Sequence, residues 1–364
     1  MSRPTWAKWV TRISLVLGLV AALFTLFDIG PETFARYFRL IGWWWLAVLA
    51  FEIAITTLDA LAIRAFASPE QDQLSWKNAL LAQLAGRSVN AVTPTGSLGE
   101  PVKISVLADE VSSSRAVSTI LLYNIVGFTV ELMQVAVAAP FMALLLPMPS
   151  GLRWAFLGIG GAAAILAIGL YVLVCRGMLA SVLRLVLRLR LISQARFARW
   201  EPQLASVDDK LRLVSGARKR DRVIGIGAVV ISRLCSLLES LVLLHAIGQA
   251  MSVGFIAAYT VGGFAIYMLS SLVPMGLGVA EGGYYSLFAA LGYNKAFGVM
   301  LVLARRCVLF AYAAIGLVLV TTTETVQRAK EQLRARRDSM QQIVAPRPVP
   351  TPIPLTITPV PDAD

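Results

Sequence analysis

Two glutamates lie in proline- and glycine-rich interruptions of long apolar stretches. Glu100 belongs to residues 93–101 (TPTGSLGEP), and Glu281 belongs to residues 274–283 (PMGLGVAEGG). Non-helical backbone at membrane depth persists only when it is buried in protein or lines a wet cavity. The two interruptions are therefore the predicted substrate site, with one carboxylate in each.

The first interruption has the features of an anion site. Ser97 and Glu100 form the pattern S-x-x-E, a predicted capping box that opens a short helix, with Pro101 in the first turn. Free N–H groups at such a helix start, together with the helix dipole, favour a phosphate or a carboxylate. Arg87 and Lys103 are close enough in sequence to add positive charge. The alternative, which the residues leave open, is that Glu100 only caps its own helix.

The carboxylate of the second interruption needs a partner. A charged side chain at the bilayer centre costs about 2.5–3.5 kcal/mol on insertion scales unless it is paired or hydrated. The candidate partners of Glu281 are Arg305 and Arg306 in the next apolar segment. A static ion pair and a functional carboxylate both stay open. Five more charges inside apolar segments are predicted to be paired or to line a cavity: Glu52, Asp59, Glu131, Arg233 and Glu239.

No other motif indicates soluble catalysis or a bound cofactor. The run GLGVAE has Glu281 where a dinucleotide fingerprint needs its third glycine, and it follows an apolar segment rather than a strand. The chain has no phosphate-binding loop, a single histidine (His245) and three cysteines without metal or pairing spacing. We therefore expect no metal, no cofactor and no nucleotide-driven step.

The elements that carry these residues are membrane helices. Of the 364 residues 57% are hydrophobic and 15% are charged, with a mean hydropathy of +0.71, whereas a globular domain carries about 25% charged residues. The net charge of +12 comes from basic residues that flank the apolar runs, as cytoplasmic retention predicts. The predicted class is all-α integral membrane, and a nucleic-acid partner is not expected.

We predict six full transmembrane helices, because about 20 apolar residues cross a ~30 Å hydrocarbon core. They cover residues 13–27, 41–63, 116–146, 154–174, 223–247 and 296–320. The two interrupted segments, residues 78–108 and 255–291, are predicted as re-entrant hairpins. Each would enter and leave the membrane on the same side.

Basic segments set the predicted orientation. The loop of residues 175–222 has twelve Lys and Arg against four acids, and the tail of residues 325–364 begins with basic residues and ends proline-rich. The positive-inside bias puts the loop and both termini in the cytoplasm. The predicted crossings between these cytoplasmic segments then require the first hairpin to enter and leave from the cytoplasm and the second from the outside. Hairpins of opposite orientation are typical of an inverted repeat. The predicted domains are a membrane transport domain over residues 1–324 and a disordered cytoplasmic tail.

Two motifs carry a family resemblance. Residues 86–107 (GRSVNAVTPTGSLGEPVKISVL) and 272–292 (LVPMGLGVAEGGYYSLFAALG) resemble a flippase-like family that includes the membrane domain of lysylphosphatidylglycerol synthases. The chain most resembles the hopanoid-biosynthesis-associated members, over residues 13–320. Met275 departs from the family pattern, which has glycine there. The resemblance and the charges nearby make up the candidate translocation site: Arg87, Asn90, Pro94, Gly96, Gly99, Glu100, Lys103, Pro274, Gly276, Gly278, Glu281, Arg305 and Arg306.

The resemblance implies movement of a lipid or lipid-linked molecule between leaflets. We expect a transporter of the bacterial inner membrane that takes a hopanoid or a phospholipid by an anionic or polar headgroup. The synthases continue into a soluble aminoacyl-transfer domain where this chain has its short tail, so we expect no enzyme activity. Two alternatives stay open: a membrane enzyme with Glu100 and Glu281 as acid–base groups, and a scaffold for lipid-synthesis enzymes.

Overall fold

The structure, a computed structural model, is helical throughout its described parts and has no strand in them. The described residues are 31–67, 74–92, 98–176, 219–271, 278–312, 314, 315 and 318. The first predicted crossing (13–27), most of the basic loop (177–218) and the tail lie outside them.

The helices follow the chain in the order of the predicted segments. Their bounds are α1 Pro31–Ile41, α2 Trp44–Ala67, α3 Trp76–Val92, α4 Gly99–Leu107, α5 Ser113–Leu145, α6 Ser150–Arg176, α7 Lys219–Ala246, α8 Val253–Ser270, α9 Val279–Ala290 and α10 295–312.

Five of the described helices are long and apolar enough to cross a membrane, namely α2, α5, α6, α7 and α8. Four of them coincide with predicted crossings, so the chain is a multi-pass helical membrane protein. The last predicted crossing is described as helix over 295–312. The unexpected member is α8, predicted as half of a hairpin. Its 18 residues extend about 27 Å at 1.5 Å per residue, which is long enough to cross.

The outward surface of these helices is apolar. On α6 the exposed fractions of Ile165 and Trp154 are 75% and 72%, and Leu144 of α5 is 71% exposed. Soluble proteins rarely expose contiguous apolar patches of this kind, whereas lipid tails surround them at no cost. The exposed side chains therefore mark the face that contacts membrane lipids.

Helices α3 and α4 form the first antiparallel hairpin. Near its open end the Asn78 side chain donates a hydrogen bond to the Val106 carbonyl (3.1 Å). Near its tip the Gly99 N–H donates to the Asn90 side-chain oxygen (2.6 Å). Residue numbers rise along α3 as their partners on α4 fall, which defines an antiparallel pair. The segments on either side of the predicted break are thus the separate helices α3 and α4, and residues 93–97 lie outside the described part.

Helices α8 and α9 form the second antiparallel hairpin. Phe255 packs edge-on against Phe288 with ring centroids 5.5 Å apart, and Tyr259 lies 5.8 Å from Tyr284. The start of α9 requires glycine, because Gly278 has φ +78°, a left-handed conformation that other residues rarely adopt. The segments on either side of the second predicted interruption are the separate helices α8 and α9, and residues 272–277 lie outside the described part.

Helix α5 supports both hairpins. It packs against α4 of the first hairpin and against α8 of the second, and it forms a long helical pair with α6. Helix α7 lies along α2, and the rings of His245 and Trp44 meet there in a T-shaped contact (centroids 5.2 Å apart), although His245 is exposed. The polar residues of α2, α3, α7 and α10 thus face one another inside an apolar bundle.

Candidate functional site

A charged cavity lies among four helices, α2, α3, α7 and α10. Its volume is about 210 Å³. The polar lining consists of Glu52, Arg87, Ser236, Glu239, Arg305 and Tyr312, and Val308 and Leu309 complete the wall. Two carboxylates and two guanidinium groups therefore share one small space between apolar helices.

Glu52 and Arg87 form an ion pair in this cavity. The Arg87 guanidinium lies 2.9 Å from the Glu52 carboxylate, and Tyr312 hydrogen-bonds to the same carboxylate at 2.7 Å. Arg87 also donates to the hydroxyl oxygens of Thr56 (3.0 Å) and Tyr312 (3.1 Å) and stacks over the Tyr312 ring at 4.3 Å. These contacts hold α2, α3 and α10 together and neutralise both charges, which lowers the cost of burying them.

Arg305 has only neutral partners among the described residues. It donates to the hydroxyl oxygens of Tyr284 on α9 (3.4 Å) and Ser240 on α7. No carboxylate of the described chain lies within 4.0 Å of it. Its positive charge is therefore placed in the cavity without a compensating ion pair.

Glu239 is the other charged group of the cavity without an ion pair. Its exposed fraction is only 7%, and no described residue donates a hydrogen bond to its carboxylate. Its charged neighbours are Glu52, Arg305 and Arg87. Every other acid that the sequence places inside the apolar segments has a partner, so Glu239 stands apart.

The contacts of Glu100 differ from the capping box predicted for it. One carboxylate oxygen is 3.0 Å from the Lys103 ammonium, and the other accepts a hydrogen bond from the Asn124 side chain of α5 (2.9 Å). Asn90 caps the start of α4 instead, through its bond from the Gly99 N–H. Ser97 lies outside the described residues. Glu100 thus fastens the first hairpin to α5.

Lys103 is buried inside the first hairpin. It is 4% exposed, its aliphatic chain packs against Gly86, and its ammonium lies 5.2 Å from the centre of the Tyr123 ring. The salt bridge to Glu100 neutralises the charge at this depth. Its position makes it a structural partner of Glu100, separate from the charged cavity.

Glu281 does two things at the start of α9. It forms an ion pair with Arg306 of α10, one of the two partners predicted for it. Its second oxygen accepts a hydrogen bond from the Gly278 N–H (2.9 Å), which caps the helix. The sequence analysis predicted the ion pair and missed the cap.

Helix α10 connects the two hairpins. Arg306 binds Glu281 of the second hairpin, and two turns further on Tyr312 bonds to Arg87 of the first. Arg305, next to Arg306, points into the cavity between these contacts. A shift of α10 therefore acts on both hairpins and on the cavity together.

The remaining intramembrane charges are paired in a second cluster. Asp59 accepts hydrogen bonds from Gln83 (2.8 Å) and Ser232 (2.7 Å), and Arg233 lies 3.2 Å from Glu131. These pairs join α2, α3, α5 and α7. The prediction that each of these charges is paired or lines a cavity is confirmed by their contacts.

The candidate residues from the sequence fall into three places. Arg87 and Arg305 line the cavity; Asn90, Gly99, Glu100 and Lys103 hold the first hairpin; Gly278, Glu281 and Arg306 hold the second. Pro94, Gly96, Pro274 and Gly276 lie outside the described residues.

Sequence reasoning missed Tyr312 and Ser236, although a periodic signal was present. On α10 the cavity-lining residues Arg305, Val308, Leu309 and Tyr312 follow the spacing i, i+3, i+4, i+7 of one helix face. On α2 the polar residues Glu52, Thr56 and Asp59 follow i, i+4, i+7. Polar residues at helical spacing within an apolar segment would have identified both faces.

A second cavity is wholly apolar. It measures about 530 Å³, within the range of small-molecule pockets. It lies between α5, α6 and the second hairpin, and its lining includes Leu132, Phe156, Val261 and Leu287. Leu287, which lines this cavity, and Tyr284, which binds Arg305 of the charged cavity, are three residues apart on α9.

We expect Tyr312→Phe to lower the free energy of unfolding by about 1–2 kcal/mol, the range for hydrogen bonds between membrane helices. The hydroxyl group joins Glu52, Thr56 and Arg87, and phenylalanine keeps the ring that stacks on Arg87. Denaturant unfolding in detergent measures the loss. Tyr285→Phe is the control because Tyr285 is 40% exposed. An equal loss in both variants would contradict this role of the hydroxyl.

No group of three or more His, Cys, Asp or Glu side chains in the described residues could hold a metal ion. The charged cavity has instead the donors of an ionic or hydrogen-bonding site for a polar group. Both guanidinium groups offer N–H donors, and both carboxylates offer acceptors.

Comparison with known proteins gives the family. No curated protein and no solved structure matches the chain significantly. The family model described as the lysylphosphatidylglycerol synthase TM region matches residues 11–316, and the protein therefore belongs to that family of membrane proteins.

Proposed function

We propose that this protein moves a lipid between the two leaflets of the bacterial inner membrane. The observation that carries the proposal is the charged cavity of about 210 Å³ within an apolar helix bundle. Charges at membrane depth are costly and mark substrate pathways in transporters. The family's relation to lipids makes a lipid headgroup the natural occupant.

The two cavities match the two parts of such a substrate. Within the described part of the chain Arg305 has neutral partners only, so an anionic phosphate would gain a charge-assisted interaction with it. The apolar cavity of about 530 Å³ suits an acyl or hopanoid chain. Because α9 lines the apolar cavity through Leu287 and binds Arg305 through Tyr284, a lipid with its headgroup at Arg305 would direct its chain past this helix.

The transport cycle that we propose uses the hairpins as the moving parts. Six full crossings and two oppositely oriented re-entrant hairpins form an inverted repeat, with both termini in the cytoplasm. Rocking of one repeat against the other exposes the cavity to each leaflet in turn. Helix α10 transmits the movement, since it holds α9 through Arg306 and α3 through Tyr312.

Leaflet exchange in reconstituted vesicles tests the proposal. The full chain is reconstituted with a fluorescent phospholipid, and a membrane-impermeant reductant bleaches the outer leaflet. We expect the wild type to bleach more than the half lost in protein-free vesicles, and Arg305→Gln to slow this exchange. Exchange no faster than in protein-free vesicles would refute the transport function.

Mass spectrometry of the same lipids separates the competing functions. A transporter leaves them chemically unchanged, and a changed lipid mass would establish an enzyme. Removal of the residues after Glu324 separates transport from a scaffold for lipid-synthesis enzymes. We expect the shortened protein to exchange lipid like the full chain, because the hairpins and both cavities precede residue 324.

A further inference from the structure

We infer that Glu239 is a proton-binding site within the charged cavity, protonated in the conformation described above and ionised when Arg305 moves to it. The site itself is independent of which lipid is carried. Its use as a coupling device rests on the proposed transport function.

The acids of the bundle differ in the partners that their carboxylates have. Glu52, Glu100, Glu131 and Glu281 each have a basic partner within 4.0 Å, and Asp59 accepts two hydrogen bonds. Glu239 is as buried as Glu52, at 7% against 8% exposed, and has neither kind of partner among the described residues. Among these six acids of the described helices, Glu239 is thus the one left without a compensating partner.

The missing partner of the Glu239 carboxylate has an energetic cost. An ionised carboxylate without a partner in apolar surroundings is strongly disfavoured, and the group takes up a proton instead. A protonated Glu239 needs only a neutral contact, and it faces a cavity with room for water to deliver the proton. Proton binding therefore accounts for the missing partner.

The charged groups around Glu239 include both an acid and cations. Glu239 shares the cavity with the acid Glu52 on α2 and with the cations Arg87 on α3 and Arg305 on α10. Arg87 is already neutralised by Glu52, so Arg305 is the cation able to change its pairing. Other titratable groups on adjoining elements already have partners: Tyr312 on α10 binds Glu52, Tyr284 on α9 binds Arg305, Asp59 on α2 binds Gln83 and Ser232, and Glu131 on α5 pairs with Arg233.

Arg305 exchanges its present hydrogen-bond partners for the Glu239 carboxylate in the proposed change. Ser240, which Arg305 binds now, follows Glu239 directly on α7, so a small displacement of Arg305 brings it towards the carboxylate. Arg305 then leaves its neutral partners, the Glu239 carboxyl loses its proton to cavity water, and an ion pair forms. When an anionic headgroup takes Arg305, the carboxylate loses that partner and binds a proton again.

Infrared difference spectroscopy tests the site without any transport assay. The full chain in lipid bilayers is taken from neutral to alkaline pH, and the stretch of the protonated carboxyl is followed. We expect the wild type to show one such band that disappears at alkaline pH, and Glu239→Gln to lack it. Glu131→Gln, which removes a half-buried acid that is paired with Arg233, should keep the band. A wild type without the band, or a band that persists in Glu239→Gln, overturns the inference.

A second variant guards against misfolding of the first. Glu239→Asp keeps a carboxyl group in the cavity, so its band should remain with a shifted position or midpoint. An unshifted band would assign it to another residue and overturn the inference.

The pH dependence of leaflet exchange then tests the coupling. A single titrating group changes the rate by at most about tenfold per pH unit. We expect this dependence in the wild type and a nearly flat profile in Glu239→Gln. If the band is present and no lipid is exchanged at any pH, the transport proposal fails while the proton site stands. If Glu239→Gln keeps the wild-type profile, the coupling is refuted.

Discussion

Glu281→Gln is expected to abolish leaflet exchange and to lower the free energy of unfolding by about 3–5 kcal/mol, the cost of removing one partner of a buried ion pair. Arg306 carries the effect, because its side chain is 7% exposed and loses its only carboxylate partner among the described residues. Glutamine still accepts the hydrogen bond from the Gly278 N–H, so the helix cap is kept. The loss then reports the ion pair between α9 and α10 alone.

A double-mutant cycle separates this ion pair from general damage. Glu281→Gln, Arg306→Gln and the double variant are unfolded in detergent and assayed for exchange. We expect the double variant to lose much less stability than the sum of the single losses, because no buried charge is left unpaired. Exchange should stay absent, since the ion pair between α10 and the second hairpin is still missing. Additive losses would show that the two residues do not depend on each other.

Hydrophobic runs and their interruptions were enough to predict most of the architecture. Runs of about 20 apolar residues identified four of the five helices able to cross the membrane. The proline- and glycine-rich breaks separated α3 from α4 and α8 from α9, because such residues end helices through local backbone effects, and the re-entrant course of both pairs stays a prediction. These are properties of neighbouring residues, which a sequence displays directly.

The partners of the intramembrane charges could not be predicted from neighbouring residues in this way. Tyr312 bonds to Glu52 across 260 positions, and Ser232 bonds to Asp59 across 173. Such pairs depend on how the helices are arranged in space, which residue spacing alone does not contain. The pair of Glu281 and Arg306 could be narrowed to two candidates because α9 and α10 are consecutive.

The caps of the two short helices show how a local rule can mislead. The S-x-x-E pattern predicted that Glu100 caps α4, yet its carboxylate turns to Lys103 and to Asn124 on α5. A buried ammonium in an apolar bundle needs its counter-ion more than a helix end needs one more acceptor. Asn90 satisfies the Gly99 N–H from the facing helix, while Glu281, without a Ser cap pattern, caps α9.

Gly99→Ala is expected to remove leaflet exchange and to lower the free energy of unfolding by about 1–3 kcal/mol or more, the cost of overpacking a close contact. A Cβ atom at residue 99 would overlap the Gly86 carbonyl oxygen and the Asn90 side chain. The carbonyl belongs to the backbone of α3 and cannot rotate away, so the two helices of the first hairpin must separate. Separation also weakens the bond by which Asn90 caps α4.

Two further variants decide whether the close approach is the cause. Gly161→Ala adds the same methyl group to α6, where nothing lies within 4 Å, and should leave exchange unchanged while adding about 0.5–1 kcal/mol of helix stability. Asn90→Ala removes the cap and one of the two obstacles, at a cost of about 1 kcal/mol. If Gly99→Ala behaves like Gly161→Ala, the hairpin tolerates a wider spacing and its tight packing has no part in transport. If it loses more than Asn90→Ala, the carbonyl contact between α3 and α4 sets the geometry that exchange requires.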